Sequence, residues 1–224
     1  MALACGLAAS GMTFFASAQA QALDAAGLQA IEAAVNKVAP KMVSWRRDIH
    51  AHPELSGQEV RTAKLVAEHL KKLGMEVQTG VGGTGVVGTL RGGLPGKVVA
   101  LRADMDALPV QENTGLPFAS NAKANYLGKE VPVMHACGHD AHVAMLMGAA
   151  EALAGMKAQL PGTVKFLFQP AEEGAPVEAD ANGKVPSFGA RAMIEAGALK
   201  DVQAIYGLHI TANLPAGVVG YRSG

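Results

Sequence analysis

Residues 134–142, MHACGHDAH, bring three histidines, one cysteine and one aspartate into nine positions. Side chains of these types seldom gather merely to fill a core. Thiolate, imidazole and carboxylate are the donor set of zinc and related divalent ions. In an extended loop, residues two apart project to the same side, so Cys137 and His139 are expected to reach one centre. Three further clusters carry matching chemistry: Asp104 and Asp106 in RADMDALP, Glu172 and Glu173 in QPAEEG, and His209 in GLHI. Adjacent carboxylates in a partly buried place repel each other. Beside a metal they can divide the work, one holding the ion and the other taking a proton from water. Asp106 suits a supporting position, orienting a ligand. Each residue alone has an ordinary reading. Cys137 could be an inert buried thiol, His139 a satisfied core histidine and the glutamate pair an exposed loop. His209 could be structural. His50, His52 and His69 read as structural or rim residues, and His135 and His142 as hydrogen-bonding neighbours of the motif.

The elements that must position these groups follow from the hydrophobic pattern. Helical periodicity runs from about Asp24 to Ile49, with Pro40 expected to start a second helix. HPEL at 52–55 interrupts it. Ser56 and Glu59 have capping-box spacing, and Val60 to Leu73 repeat at helical intervals before Gly74. MEVQTG and GVVGTL read as strands about a glycine-rich turn, and residues 111–133 as a polar loop. KVVALRAD and TVKFLFQP are apolar enough for the centre of a sheet. Between them lies a buried helix, AHVAMLMGAAEALAGM. A short helix near 188–197 and strands AIYGLHI and AGVVGY complete the pass. Strands alternating with helices imply an α/β fold with a mostly parallel sheet flanked by helices. Sites in such sheets form beyond the carboxyl ends of the strands, where all four polar clusters fall. The metal reading requires the Cys137 sulfur to lie within about 10 Å of the Glu173 oxygens, the most that a bimetallic centre can bridge.

The 224 residues suffice for one substantial core. A formal net charge of zero argues against nucleic acid and against an anionic membrane surface, which demand a basic face. Residues 1–22 differ in kind: an apolar run, without a preceding Lys or Arg, leads to Ala16-Ser17-Ala18 and Ala18-Gln19-Ala20. This pattern predicts a secretory signal and export to a bacterial periplasm, the alternative being an apolar N-terminal helix of a cytoplasmic protein. Residues 23–224 then form the working domain. Cys5 would leave with the signal, so Cys137 would be the remaining thiol and no intrachain disulfide could form.

From about Val43 onward, the blocks RRDIHAHPELSGQE, RADMDALPVQE, MHACGHDAH, GTVKFLFQPAEEG and YGLHI resemble the successive signatures of one family. It is the metal-dependent amidohydrolases that include hippurate hydrolase, N-acyl-amino-acid amidohydrolases and plant auxin-conjugate hydrolases, a branch of the aminoacylase and carboxypeptidase superfamily. The resemblance implies that Cys137, His139, Glu173 and His209 are ligands of a two-metal site. It makes Glu172 the general base and Asp106 a supporting aspartate. The ions would be zinc or manganese, with cobalt or nickel as alternatives, and the substrate an N-acyl amino acid. A dipeptidase or carboxypeptidase of the same superfamily, or a non-catalytic metal-binding half-domain, is the alternative. The family also implies an inserted domain beginning near GYRSG, often dimerising, and a last metal-binding histidine further on. The chain is therefore expected to be the N-terminal half of such an enzyme, with little or no amidase activity by itself and an unpaired sheet edge.

Overall fold

The computed structural model describes residues 24–176, 181–183 and 185–221. The expected signal segment lies outside the described residues. Helix α1 spans Ala25–Ala51 and is capped by Asp24, whose side chain accepts from the Gly27 N–H at 2.8 Å. Pro40 lies inside this one helix and does not start another. A proline there removes a hydrogen bond to the carbonyl one turn back. Asn36 and Pro40 are both exposed, so water can serve the freed carbonyl.

Helix α2 spans Val60–Lys72 and buries Thr62, Val66, Ala67 and Leu70. The Ser56–Glu59 capping box does not form. Instead the Glu54 carboxylate accepts from the Arg61 and Thr62 N–H groups, both at 2.8 Å. Ser56 and Glu59 are turned toward the site described below.

Strands β1 (Glu76–Thr79), β2 (Val86–Arg91), β3 (Leu94–Asp104), β6 (Pro161–Gln169) and β7 (Ala204–Gly207) form one sheet of order β1-β2-β6-β3-β7. The sheet is mixed, which corrects the expectation of a mostly parallel one. β1 and β2 flank a short turn and must run antiparallel. β2 in turn pairs antiparallel with β6. Within this sheet, parallel pairing is confined to β3–β6 and β3–β7, whose connections are long enough to cross over. Residues 111–133, read as a loop, contain a small hairpin of β4 (Lys123–Tyr126) and β5 (Lys129–Pro132). β7 stops at Gly207, short of His209, and AGVVGY forms no strand. β7 is an edge strand on which Ile205 and Tyr206 remain exposed.

Helix α3, His139–Gly155, fills the crossover from β3 to β6 and is buried on most of its surface. Its Val143 and Met147 meet Ile49, Leu70, Phe166 and Phe168 in the main core. Helix α4, Gly189–Glu195, covers the other face through Met193, which packs with Val87 and Leu167.

His69 joins α2 to α3. Its ring meets Trp45 edge-on, with centroids 4.7 Å apart, and its Nε2–H donates to the Met147 carbonyl at 3.1 Å. Burial lowers its pKa below the ordinary 6.5, only partly offset by the Met147 carbonyl and the Glu151 charge. The neutral ring is therefore favoured more in the folded chain than in the unfolded one. Its contribution to stability is complete above the unfolded pKa and is lost as pH falls through the lowered folded-state value. Urea midpoints are expected to drop on the acid side of neutrality. His69→Gln, which keeps a donor for Met147, should flatten that part of the profile; an unchanged slope in the variant would contradict the assignment.

Candidate metal centre

Parallel register gathers the polar clusters. Asp104, the last residue of β3, pairs with Gln169, the last of β6. Asp106 and the Glu172–Glu173 turn therefore leave the sheet side by side. Arg102 pairs with Gly207, so the chain beyond β7 brings His209 to the same rim. Cys137 and His139 arrive by a different route from the one expected. Gly138 between them has φ +91° and turns the incoming loop into α3. A side chain there would be strained in that conformation, and its Cβ would come 3.4 Å from Ile210. Even so, the donor atoms of Cys137, His139 and His209 lie within 4.8 Å of one another. Those of His139, Glu172 and Glu173 form a second such group, sharing His139.

His139 is the pivot. The ring is fully buried, and Nδ1–H donates to the Asp106 main-chain carbonyl at 2.8 Å. That bond turns Nε2 toward the cluster, where it has no hydrogen-bond partner. Around Nε2 stand Asp104 Oδ1 at 3.6 Å, Glu172 Oε2 at 3.9 Å and Glu173 Oε1 at 3.9 Å. Cys137 Sγ lies 3.5 Å from His209 Nε2 and is hydrogen-bonded to Glu173, well inside the separation the metal reading required. A buried imidazole nitrogen without a partner, ringed by carboxylates, a sulfur and a second imidazole, fits a divalent cation.

The electrostatics point the same way. Burial, followed by the Glu173 hydrogen bond and the charges of Glu173, Glu172 and Asp104, pushes the Cys137 thiol up to about 12. Burial acts to lower the pKa of His139, but Asp106 and Asp104 outweigh it and raise the pKa. Both shifts describe a place that welcomes positive charge. Among the described residues, the one basic side chain within ion-pair distance of Glu172 or Glu173 is His139 itself.

His142 holds the rim together. Its Nδ1–H donates to Asp104 Oδ1 at 2.6 Å, and its Nε2 accepts from the Ile210 N–H at 2.9 Å. Both nitrogens are engaged, as a neighbour's would be, and the second bond anchors the segment that carries His209. Burial works to raise the pKa of Asp104, yet the His142 hydrogen bond with the His139 and Arg102 charges brings it down to about 2. Behind α3, Asp140 receives His50 at 2.7 Å and Arg46 at 2.8 Å, and His50 continues to Glu112 at 3.1 Å. His135, expected to hydrogen-bond beside the motif, is buried with neither ring nitrogen bonded. Asp106 accepts from Ser56 Oγ at 2.6 Å and from the Glu173 N–H at 2.9 Å.

All six candidate residues therefore converge: Cys137, His139, Glu172, Glu173, His209 and Asp106. Ser56 and Glu59 were not legible as parts of the site; Asp104 and His142 were, as a carboxylate of one cluster and a neighbour of the motif, but their pairing was not. Ser56 and Glu59 carried a signal, but their spacing matched a helix cap. Nothing local pairs Asp104 with a residue 38 positions away.

An α/β sheet with thiol, imidazole and carboxylate donors at the carboxyl ends of its parallel strands defines a candidate metallohydrolase scaffold. The sequence model described as "Peptidase family M20/M25/M40" matches residues 100–224, and the chain belongs to that family. It is 49% identical over 191 residues to "Thermostable carboxypeptidase 1" of Saccharolobus solfataricus, covering 85% of this chain and 44% of that protein. Against the "N-acyl-L-amino acid amidohydrolase" of Geobacillus stearothermophilus, identity is 41% over 190 residues, covering 85% of this chain and 46% of that protein. The crystal structure of the Bacillus subtilis YXEP protein, a dinuclear metal binding peptidase from the M20 family, superposes with a TM-score of 0.69 at 42% identity. That match covers 86% of this chain and 48% of the other. The chain thus spans less than half the length of these relatives.

Proposed function

We propose that this chain supplies the metal-holding and proton-transferring half of a hydrolase that splits N-acyl amino acids into a carboxylic acid and a free amino acid. The observation that carries the reading is the unpartnered Nε2 of buried His139, facing both Glu172 and Glu173 at 3.9 Å. Cys137, His139, Glu173 and His209 would hold two divalent ions. The ions supply Lewis acidity, lowering the pKa of a water and polarising the acyl oxygen. Glu172 is the more exposed of the pair, its side chain 39% accessible against 25% for Glu173, which suits a group that meets water and substrate. Its carboxylate takes a proton from the water as the water oxygen adds to the acyl carbon. It then delivers that proton to the departing nitrogen as the C–N bond breaks. Asp106 positions both sides, fixing the ring of His139 through its carbonyl and the glutamate turn through its carboxylate.

The relatives favour one second reading, removal of a C-terminal amino acid from peptides. The bond and the catalytic groups are the same, and the acyl side alone differs. The experiment is metal analysis of the purified 224-residue chain, together with assays of a panel of N-acyl amino acids and short peptides. The assays are run on that chain and on the enzyme at its relatives' full length. Bound metal, hydrolysis by the longer form and little or none by the chain alone are expected. A metal-loaded full-length form that cleaves neither class would overturn the proposal and leave a metal-binding module.

A further inference from the structure

Glu59 is a buried carboxylate that takes no part in the proposed chemistry. It is 0% exposed, and its partners in the structure are all neutral. Oε1 accepts the N–H groups of Gly57 and Ala171, both at 2.8 Å, and Oε2 accepts the Thr84 hydroxyl at 2.5 Å. Burying a carboxylate without a cation is costly, so its retention asks for a reason. Capping α2 is not that reason. Glu59 makes no side-chain cap bond, and the first N–H groups of the helix go to Glu54.

The long-range partner is more telling. Ala171 has φ +48°, a left-handed conformation that strains a residue with a Cβ. Glu172 and Glu173 follow it directly. Strain of this kind persists where the surroundings over-determine it. Here the Ala171 N–H is held by Glu59, and the Glu173 N–H is held by Asp106. Gly189 closes the other side, since a Cβ there would stand 2.7 Å from the Ala171 carbonyl. Two amides of one turn, on either side of Glu172, thus bond to two buried carboxylates from distant parts of the chain. The Glu172 and Glu173 side chains are left to project toward His139.

We infer that Glu59 is a positioning residue: its hydrogen bond to the Ala171 amide holds the strained turn that presents Glu172 and Glu173. The roles of those two glutamates rest on the function proposed above. What Glu59 supplies is an acceptor atom at a fixed reach, not its charge. Glu59→Gln keeps the oxygen for Gly57 and Ala171 and offers an N–H to Thr84. Glu59→Asp keeps the charge and loses one methylene of reach.

The test uses the 224-residue chain and two measurements made well below its melting temperature. One is the affinity for Co²⁺, followed by cobalt–thiolate absorption. The other is amide hydrogen exchange at residues 171–173. Glu59→Asp should weaken cobalt binding about 10–100-fold, the usual cost of losing a group that orients a ligand. It should also speed exchange at Ala171. Glu59→Gln should match the unsubstituted chain in both. A lower melting temperature in Glu59→Asp with unchanged affinity and exchange would reduce Glu59 to a merely structural part and overturn the inference. Equal losses in Glu59→Gln would overturn it too, because charge would then be what matters. If Glu59→Asp fails to fold, the Gln variant still decides. Should the unsubstituted chain bind no cobalt, the proposed function fails by itself. The inference then stands or falls on exchange at Ala171.

Discussion

On the function proposed here, Glu172→Gln in the metal-loaded enzyme at its relatives' length is expected to turn over N-acyl amino acids about 10²–10⁴-fold more slowly, the span that a positioned general base contributes. Metal content should stay at the level of the unsubstituted enzyme. The substitution is nearly isosteric and leaves the backbone of the turn untouched, so the amides held by Glu59 and Asp106 keep their partners. What disappears is a carboxylate able to accept a proton from water and return it to nitrogen. Glu173→Gln makes the contrast, because loss at that position should appear first as weakened metal binding. His139 Nε2 stands at the same distance from both glutamates, so this pair of variants separates roles that distance alone does not. Substantial hydrolysis by Glu172→Gln would refute the assignment of the base, and metal loss in that variant would exchange the two roles.

The second large effect concerns stability. The centre gathers several carboxylates about His139, with a thiol whose ionisation they oppose, and a bound cation would relieve that repulsion. A ligand that binds the folded chain alone, at a free concentration a thousand times its dissociation constant, stabilises by about 4 kcal/mol. For a chain of this size that corresponds to a rise in melting temperature of about 8–16 °C. Zinc added to the metal-free chain should produce a shift of this order, and a chelator should reverse it. In His139→Ala the shift should vanish, because His139 belongs to all three groups of candidate donor atoms among the described residues, the third being Asp104, His139 and His142. The apo form of that variant is expected to remain folded, since Ile49, Leu70, Phe166 and Phe168 pack without it. A zinc-induced shift that survives in His139→Ala would place the ion elsewhere. The melting curves of the metal-free proteins would also reveal a variant that has simply unfolded.

Legibility in the sequence followed the range of the interactions. α3 and the central strands β3 and β6 were readable because each is a continuous apolar segment with its own breakers, and burial of such segments is decided locally. Pro40 misled because the carbonyl it leaves unbonded lies on an exposed part of α1, where water can take the place of the missing donor. Ser56 and Glu59 misled for the opposite reason. Their spacing satisfies a local rule, yet Asp106 and Ala171, brought close by the fold, compete successfully for the same side chains.

The amino-acid order was enough to set the chemistry available: which donors exist, that they lie at the ends of apolar segments, and that acidic and basic side chains balance. The tertiary structure alone decided the mixed direction of the sheet, because pairing partners depend on how connections cross and not on what each strand contains. It also decided the tautomer of His139, the anchoring of the His209 segment by His142, and the clamp on the glutamate turn. Those are contacts between residues tens of positions apart. A side chain's type limits what it can bond, but the partner it meets is chosen by the packing of the whole chain.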